Sequence, residues 1–380
     1  MAESRKLRMG LVGGGPGAFI GPVHRIAAEL DGRIELVAGA FSSSPEKSRA
    51  AGLSYRIDPQ RAYGSYEEMI AQEKQRPDAI DFVVIATPNS THLPVAKAAL
   101  EAGIPVMSDK PATATYDQVL ELEKVVARAG LPYGLTHTYA GYALVRDARA
   151  LCAAGEIGPV RKVVVEYLQG WLSESIEASG QKQASWRVDP KLNGPGGCIG
   201  DIGTHAFHLL EYITGLDVIA LQGTLRSVVE GRQVDDDCTA LLKLSNGAQG
   251  ILLASQIAAG EGNGLRIRVY GEKGSLHWQQ ENPNTLTLRR TAGPDETRHA
   301  SGGYLSPDAR AVTRLPGGHP EGYFEAFAVL YREFAEWLEA WRANKAEAPA
   351  TLPGIRAAVR GMRFIERAIE SSRTGQWVEF

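Results

Sequence analysis

The stretch Gly10–Gly21, GLVGGGPGAFIG, decides how the N-terminal third of this 380-residue chain is read. It follows the apolar run LRMGLV and precedes the helix-like HRIAAEL. Gly13, Gly15 and Ala18 satisfy G-x-G-x-x-G/A at that strand-to-helix junction. Small residues there permit a tight turn and let backbone N–H groups reach a pyrophosphate at a helix N-terminus. A glycine-rich turn alone is weak evidence, but this context favours a dinucleotide site. Gly13, Gly14, Gly15, Ala18, Phe19 and Ile20 are its candidate cradle.

Working outward, IELVAGA, IDFVVIAT, IPVMS and LPYGLTH are short apolar runs, with the helix-like HLPVAKAALEAG and YDQVLELEKVVARAG among them. Such alternation predicts a parallel, doubly wound sheet, a Rossmann domain over residues 1–138. Beyond it the pattern changes to longer, alternating runs: VRKVVVEYLQGWL, CTALLKLSNGAQGILLASQ, LRIRVYGEKGSLHW and TLTLRR. These predict a mainly antiparallel sheet in a second domain, 139–380, with a hairpin turn at Ser245-Asn246-Gly247. EGYFEAFAVLYREFAEWLEAW and PGIRAAVRGMRFIERAIESS read as amphipathic helices that cover a sheet face. The polar segment Ser173–Ser185 and the Gly/Pro-rich segment Asp295–Gly318 are expected as mobile loops.

Composition narrows the function. A net charge of −3, from interspersed acids and bases with no basic block, argues against nucleic-acid binding and for small-molecule chemistry. Cys152, Cys198 and Cys238 lie far apart without CxxC spacing, which argues against a disulfide framework and a cysteine zinc site and fits a reducing compartment. No stretch reaches the ~20 apolar residues of a membrane span, and the N-terminus lacks the apolar run of a signal peptide. The expectation is a cytoplasmic protein.

At the end of the second predicted strand, where an acid would hold the ribose 2′-hydroxyl of NAD, stand Ser42 and Ser43. Without that carboxylate a 2′-phosphate is not repelled, and Lys47 and Arg49 follow nearby. The expected cofactor is NADP or NAD, with a lean to NADP. The plainer reading is that Ser44 caps the next helix and Lys47 is solvated. Thr87-Pro88-Asn89 and Asp109-Lys110-Pro111 follow further strands, at the ends where open α/β sheets bind ligands. In GGCIGDIGTHAFHLLEYITG, Asp201, His205 and His208 fall at spacings of four and three, so a helix would stack them on one face. That stripe suits proton transfer, a metal, or plain packing.

TPN followed by His92, then AALEAGIPVMSDKP, GGCIGDIGTHAF and SSRTGQWVEF resemble, in that order over nearly the whole chain, the glucose-fructose oxidoreductase and inositol dehydrogenase family (Gfo/Idh/MocA). The resemblance implies a C-terminal α/β domain with a large open sheet and NAD(P)-dependent oxidation or reduction of a sugar, polyol or cyclitol. It matches Lys110 to the family's catalytic lysine, and Asp201 and His205 to its Asp-x-Gly-x-His motif. It adds Thr87, Pro88, Asn89, His92, Asp109 and Lys110 to the cofactor side and suggests a cis Lys110–Pro111 bond. It also suggests a homo-oligomer, a dimer or tetramer. Asp109 stands where Glu is commoner, and His208 where an aspartate often sits.

In this reading His205 is the base, Lys110 stabilises the developing alkoxide, and Asp201 binds a substrate hydroxyl or orients the imidazole. No metal is expected, and His208 is taken as packed or cofactor-side. Tyr139, Trp186, Arg187 and His319 are candidates for contacting a polyhydroxylated ring, each with a packing, pairing or capping alternative. Two other functions stay open, an NAD-dependent glycosidase that oxidises a ring transiently, and a non-catalytic nicotinamide sensor.

Overall fold

The computed structural model describes residues 5–380. The chain forms two compact units, one reaching to Thr136 and completed by Phe327–Val359, the other His137–Ala326 with Arg360–Phe380.

The first unit runs β1 (Leu7–Gly13), α1 (Ile20–Glu29), β2 (Ile34–Ala40), α2 (Pro45–Tyr55), α3 (Tyr66–Glu73), β3 (Phe82–Ala86), α4 (His92–Glu101), β4 (Val106–Ser108), α5 (Tyr116–Ala129) and β5 (Tyr133–Leu135). The strands pair in parallel in the order β2-β1-β3-β4-β5. β3, FVVIA, is buried throughout, as expected of a strand covered on both faces.

The segment Phe327–Val359, which the sequence division assigns to the second domain, belongs to this first unit. Its Phe334 packs on Phe82 at 5.2 Å between ring centroids and lies over Gly134, where an added Cβ would come within 3.0 Å of the ring. Leu135 N–H donates to the Pro353 carbonyl. Amphipathic periodicity predicts that a helix covers a sheet, but not which sheet.

The second unit begins with α6 (Ala143–Ala153) and β6 (Val160–Leu168), then the short helices α7 (Lys182–Arg187) and α8 (Pro190–Asn193), and α9 (Thr204–Thr214). There follow β7 (Val218–Arg226), β8 (Asp237–Leu244), β9 (Gln249–Ser255), β10 (Gly264–Gly271), β11 (Gly274–Gln279), β12 (Thr285–Arg290), β13 (Glu296–His299) and α10 (Pro307–Ala311). The chain then continues through α11 (Tyr323–Asn344), whose body belongs to the first unit, to α12 (Ile355–Thr374) and β14 (Val378–Glu379).

The sheet order is β13-β12-β11-β10-β6-β9-β8-β7-β14, antiparallel except for the parallel pair β6–β9. Gly247, at a φ of +86°, closes the hairpin between β8 and β9. In β8, Cys238, Ala240, Leu242 and Leu244 are buried, while Thr239, Leu241 and Lys243 face outward. One face is therefore packed. α12 is fastened to it by Ser371 and Ser372, whose hydroxyls accept from Gly223 N–H and Leu225 N–H, both at 2.9 Å.

Both segments expected as loops contain regular structure. Ser173–Ser185 holds a 3₁₀ turn, Ile176–Ser179, and most of α7; Asp295–Gly318 holds β13 and α10. Among the described residues no helix is long and apolar enough to cross a membrane.

The glycine-rich turn shows why its residues must be small. Gly13 has a φ of +91°, and a Cβ there would lie 2.3 Å from the Ala86 carbonyl oxygen on the neighbouring strand. The close crossing of turn and helix falls to Gly21 rather than Ala18, since a Cβ on Gly21 would lie 2.2 Å from the Gly14 Cα. Gly21→Ala must therefore push α1 off the turn. It is expected to cost about 1–3 kcal/mol, the range for overpacking, read as a lower urea midpoint at unchanged m.

Candidate active site

In the first unit β1 lies between β2 and β3, so the chain order reverses there and a crevice opens beyond the strand ends, the usual ligand position in such sheets. Gly13 pairs with Ala86 at this point. The glycine-rich turn, Thr87-Pro88-Asn89 and Asp109-Lys110 thus follow the ends of β1, β3 and β4. Among the described residues no side chain caps α1. These features fit a pyrophosphate. The Lys110–Pro111 bond is cis.

The neighbouring predicted residues divide by partner. His92 is buried, with Nδ1 2.8 Å from the Pro111 carbonyl and Nε2 2.9 Å from the Thr87 carbonyl. The ring lies between the two turns with a nitrogen facing each carbonyl, and in its neutral form it donates to one of them. Burial pushes its pKa down, outweighing Asp109 and the carbonyls. Asp109 Oδ1 accepts from Thr136 Oγ1 (2.7 Å) and from Lys110 N–H (2.9 Å), and its Oδ2 lies 3.8 Å from His24 Nε2. Burial alone would raise this carboxyl, but His24, Lys110 and Thr136 hold it well below the usual range. Its charge is directed inward.

No carboxylate stands at the end of β2. Ser42 Oγ accepts from Ser44 N–H, and Ser44 caps α2 by accepting from Lys47 N–H, as the plainer sequence reading has it. The Ser43 and Lys47 side chains are exposed.

In the second unit Asp201 and His205 do not share one regular α-helix. Residues Ile199–Gly203 form a π-helical turn that runs into α9. There the Thr204 hydroxyl donates to the Gly200 carbonyl at 2.9 Å, and Thr204 N–H reaches back to the Ile199 and Ile202 carbonyls. The expected α-helical stack is thereby widened at Asp201. Asp201 Oδ2 accepts from Arg187 Nε (3.1 Å) and Gln256 Nε2 (2.9 Å). Arg187 lies over the Trp186 ring at 4.4 Å and nearer its edge to Trp171 at 5.9 Å, so the guanidinium is held by carboxylate and rings together.

His205 is buried in an aromatic box. Tyr139 meets it edge-to-face at 4.8 Å, His137 at 5.7 Å, and Tyr167 is tilted against it at 6.2 Å. Tyr139 and Tyr167 share a hydroxyl–hydroxyl bond of 2.5 Å, and burial pushes the Tyr139 phenol up to about 12, so it stays protonated. His208 stacks flat on His137 at 4.0 Å and on Tyr212 at 5.5 Å, and the Arg149 guanidinium covers the far ring at 4.6 Å. Burial, helped by Arg149, pushes His208 down to about 3. It is a neutral, packed ring. Among the described residues no group of three or more His, Cys, Asp or Glu side chains is arranged to hold a metal.

Of the other predicted residues, Tyr139 is buried beside His205, Trp186 supports Arg187, and Arg187 pairs with Asp201 rather than Asp189, which caps α8. His319 lies on an exposed turn with Nδ1 3.2 Å from the Pro316 carbonyl, ahead of α11 and not capping it. The sequence reading missed Gln256, His137 and Tyr167. Each ends or follows an apolar strand, and a polar residue there was the available signal.

Residues 7–137 match the oxidoreductase family with an NAD-binding Rossmann fold, and residues 145–277 match the GFO/IDH/MocA C-terminal domain. The chain is 37% identical to an inositol dehydrogenase homolog from Azotobacter vinelandii solved with NADH and myo-inositol, with 99% of this chain and 98% of that one covered at a TM-score of 0.93. An oxidoreductase structure from Sinorhizobium meliloti is 41% identical, with 99% and 100% covered and a TM-score of 0.89. An uncharacterized oxidoreductase of Bacillus subtilis is 35% identical over 99% of this chain and 98% of its own length. Through both of its units, the chain belongs to the Gfo/Idh/MocA family of NAD-binding oxidoreductases.

Proposed function

We propose that the protein is an NAD(P)-dependent dehydrogenase that moves a hydride between nicotinamide and a hydroxyl or keto carbon of a sugar or cyclitol. The observation that carries this reading is the buried His205 in its aromatic box, with Asp201 fixed one turn earlier by Arg187 and Gln256. The relative solved with NADH and myo-inositol supports the substrate class. A bound nicotinamide supplies the two-electron partner for the hydride.

In the oxidation direction His205 takes the hydroxyl proton as the C–O bond becomes a carbonyl, and Lys110 stabilises the charge on that oxygen. Asp201, whose Oδ2 is held by Arg187 and Gln256, binds a second substrate hydroxyl in this reading or orients the imidazole. His208 stays neutral beside it, which avoids like-charge repulsion through the His137 stack.

Lys110→Ala and His205→Ala are each expected to lower kcat by ~10²-fold or more, with NAD(P)H affinity by fluorescence titration nearly unchanged. Wild-type turnover in either would overturn the roles. A screen of sugars and cyclitols, beginning with myo-inositol, should give net nicotinamide turnover; aglycone release without it would indicate glycosidase chemistry.

NADP(H) is expected to bind at least as well as NAD(H), because no acid at the end of β2 repels a 2′-phosphate. Ser42→Asp should shift the preference toward NAD by about tenfold or more, read by paired titrations.

The depressed His208 pKa makes a further prediction. The unfolded ring titrates near 6.5 and the folded one near 3, so the stability His208 protects is complete above about 6.5 and is lost as pH falls toward 3. His208→Phe, which keeps a flat ring in the stack, should remove roughly 2–4 kcal/mol of that acid sensitivity, read from urea unfolding at pH values across this window.

A further inference from the structure

The segment that delivers Arg187 to Asp201 has little apolar anchorage. From Leu172 to Arg187 only Leu172 and Ala184 are buried. What holds it is Arg232, in the connection between β7 and β8, whose side chain is 1% exposed. A guanidinium has five N–H donors, and all five are used here. Nε donates to Glu177 Oε1 (2.9 Å). Nη1 donates to the Leu172 carbonyl (2.7 Å) and Asp236 Oδ2 (3.2 Å), and Nη2 to the Glu174 carbonyl (2.9 Å) and Glu177 Oε2 (3.1 Å). Four of the five bonds go to the segment 172–177 that leads into α7.

The fifth joins Arg232 to the lead-in of β8. Asp236 there also accepts from Val228 N–H (2.8 Å) and Val229 N–H (3.0 Å). The Asp236 carbonyl accepts from Gln256 N–H, and the Gln256 carbonyl from Leu172 N–H. The next residue back, Asp235, accepts from Gly197 N–H and Ile199 N–H, both at 2.7 Å, where the chain enters the π-helical turn of Asp201. The Arg187 side and the Asp201 side of the ion pair are therefore fastened to one pair of adjacent carboxylates, and Gln256 is fastened between them.

We propose that Arg232 is a positioning residue of the substrate site. It latches residues 172–177 so that α7 holds Arg187 on Asp201, which keeps the Asp201 carboxylate turned toward substrate. It touches no reacting atom, and its effect on catalysis rests on the dehydrogenase reading given above. A lysine cannot replace it, because three donors on a point charge cannot serve five acceptors in a plane.

Arg232→Lys, Arg187→Ala and the double variant distinguish this role from plain stabilisation. Arg232→Lys is expected to raise KM for the sugar or cyclitol about tenfold or more, the scale of one or two lost charge-assisted hydrogen bonds. Saturating kcat and NAD(P)H affinity should stay within about threefold of wild type. Because Arg232 acts through Arg187, the double variant should show no further rise in KM. Hydrogen exchange supplies a readout free of turnover. Amides of 173–187 should lose protection in Arg232→Lys, while those of β8 and β9 keep theirs. Additive effects on KM, an unchanged KM, or unchanged exchange in 173–187 would overturn the latch. If the wild type turns over no sugar or cyclitol, the dehydrogenase reading fails alone, and the exchange result still decides whether Arg232 holds the segment.

Discussion

Two adjacent buried carboxylates, Asp235 and Asp236, are the constraint on which the second unit's site depends. Burying a charge is costly unless donors surround it, and each has recruited backbone N–H groups from chain that would otherwise wander. Asp235 takes those of Gly197 and Ile199, which sets where the π-helical turn begins. Burial still pushes Asp235 up to about 6, against the pull of those donors. Asp236 takes those of Val228 and Val229 and, through Arg232, the segment that ends in Arg187. Two buried acids thereby fix the surroundings of a third, Asp201.

The first unit is governed by close backbone approach. Its crevice exists because β1 and β3 are neighbours while β2 lies on the other side of β1, and the turn that lines it fits only where side chains are absent. Behind the turn, charge is managed by distant chain. Tyr331 on α11 meets His24 Nδ1 at 2.6 Å, and the other face of that imidazole looks toward Asp109. Asp109 is thus bonded by Thr136 and faced by His24 on its inner side, directly before Lys110 in the chain. The return of Phe327–Val359 to the Rossmann sheet completes this arrangement as well as the hydrophobic core.

His205 and His208, three residues apart, have different surroundings. His208 and His137 lie face to face and burial pushes His208 down to about 3, while His205 lies beside Tyr139 and Tyr167. In the proposed dehydrogenase only His205 changes charge during turnover. From His208 the stack runs on to Tyr212 and the Arg149 cation.

Much of this was legible in the sequence, because its signals are local. Strand and helix periods, the glycines after β1, and the turn Ser245-Asn246-Gly247 each depend on neighbours a few residues away, and the structure carries them as read. So does the Ser44 cap. What the sequence could not determine is whatever depends on partners far along the chain. It could not say that α11 covers the first sheet, since amphipathicity does not name the surface covered. It could not say that Arg187 would meet Asp201 rather than Asp189, nor that His92 would lie between two backbone carbonyls. It could not make Arg232 and the carboxylates of QVDDDC more than surface charges, because burial alone turns an Arg–Asp pair into a fixed point, and burial is a property of the packed chain.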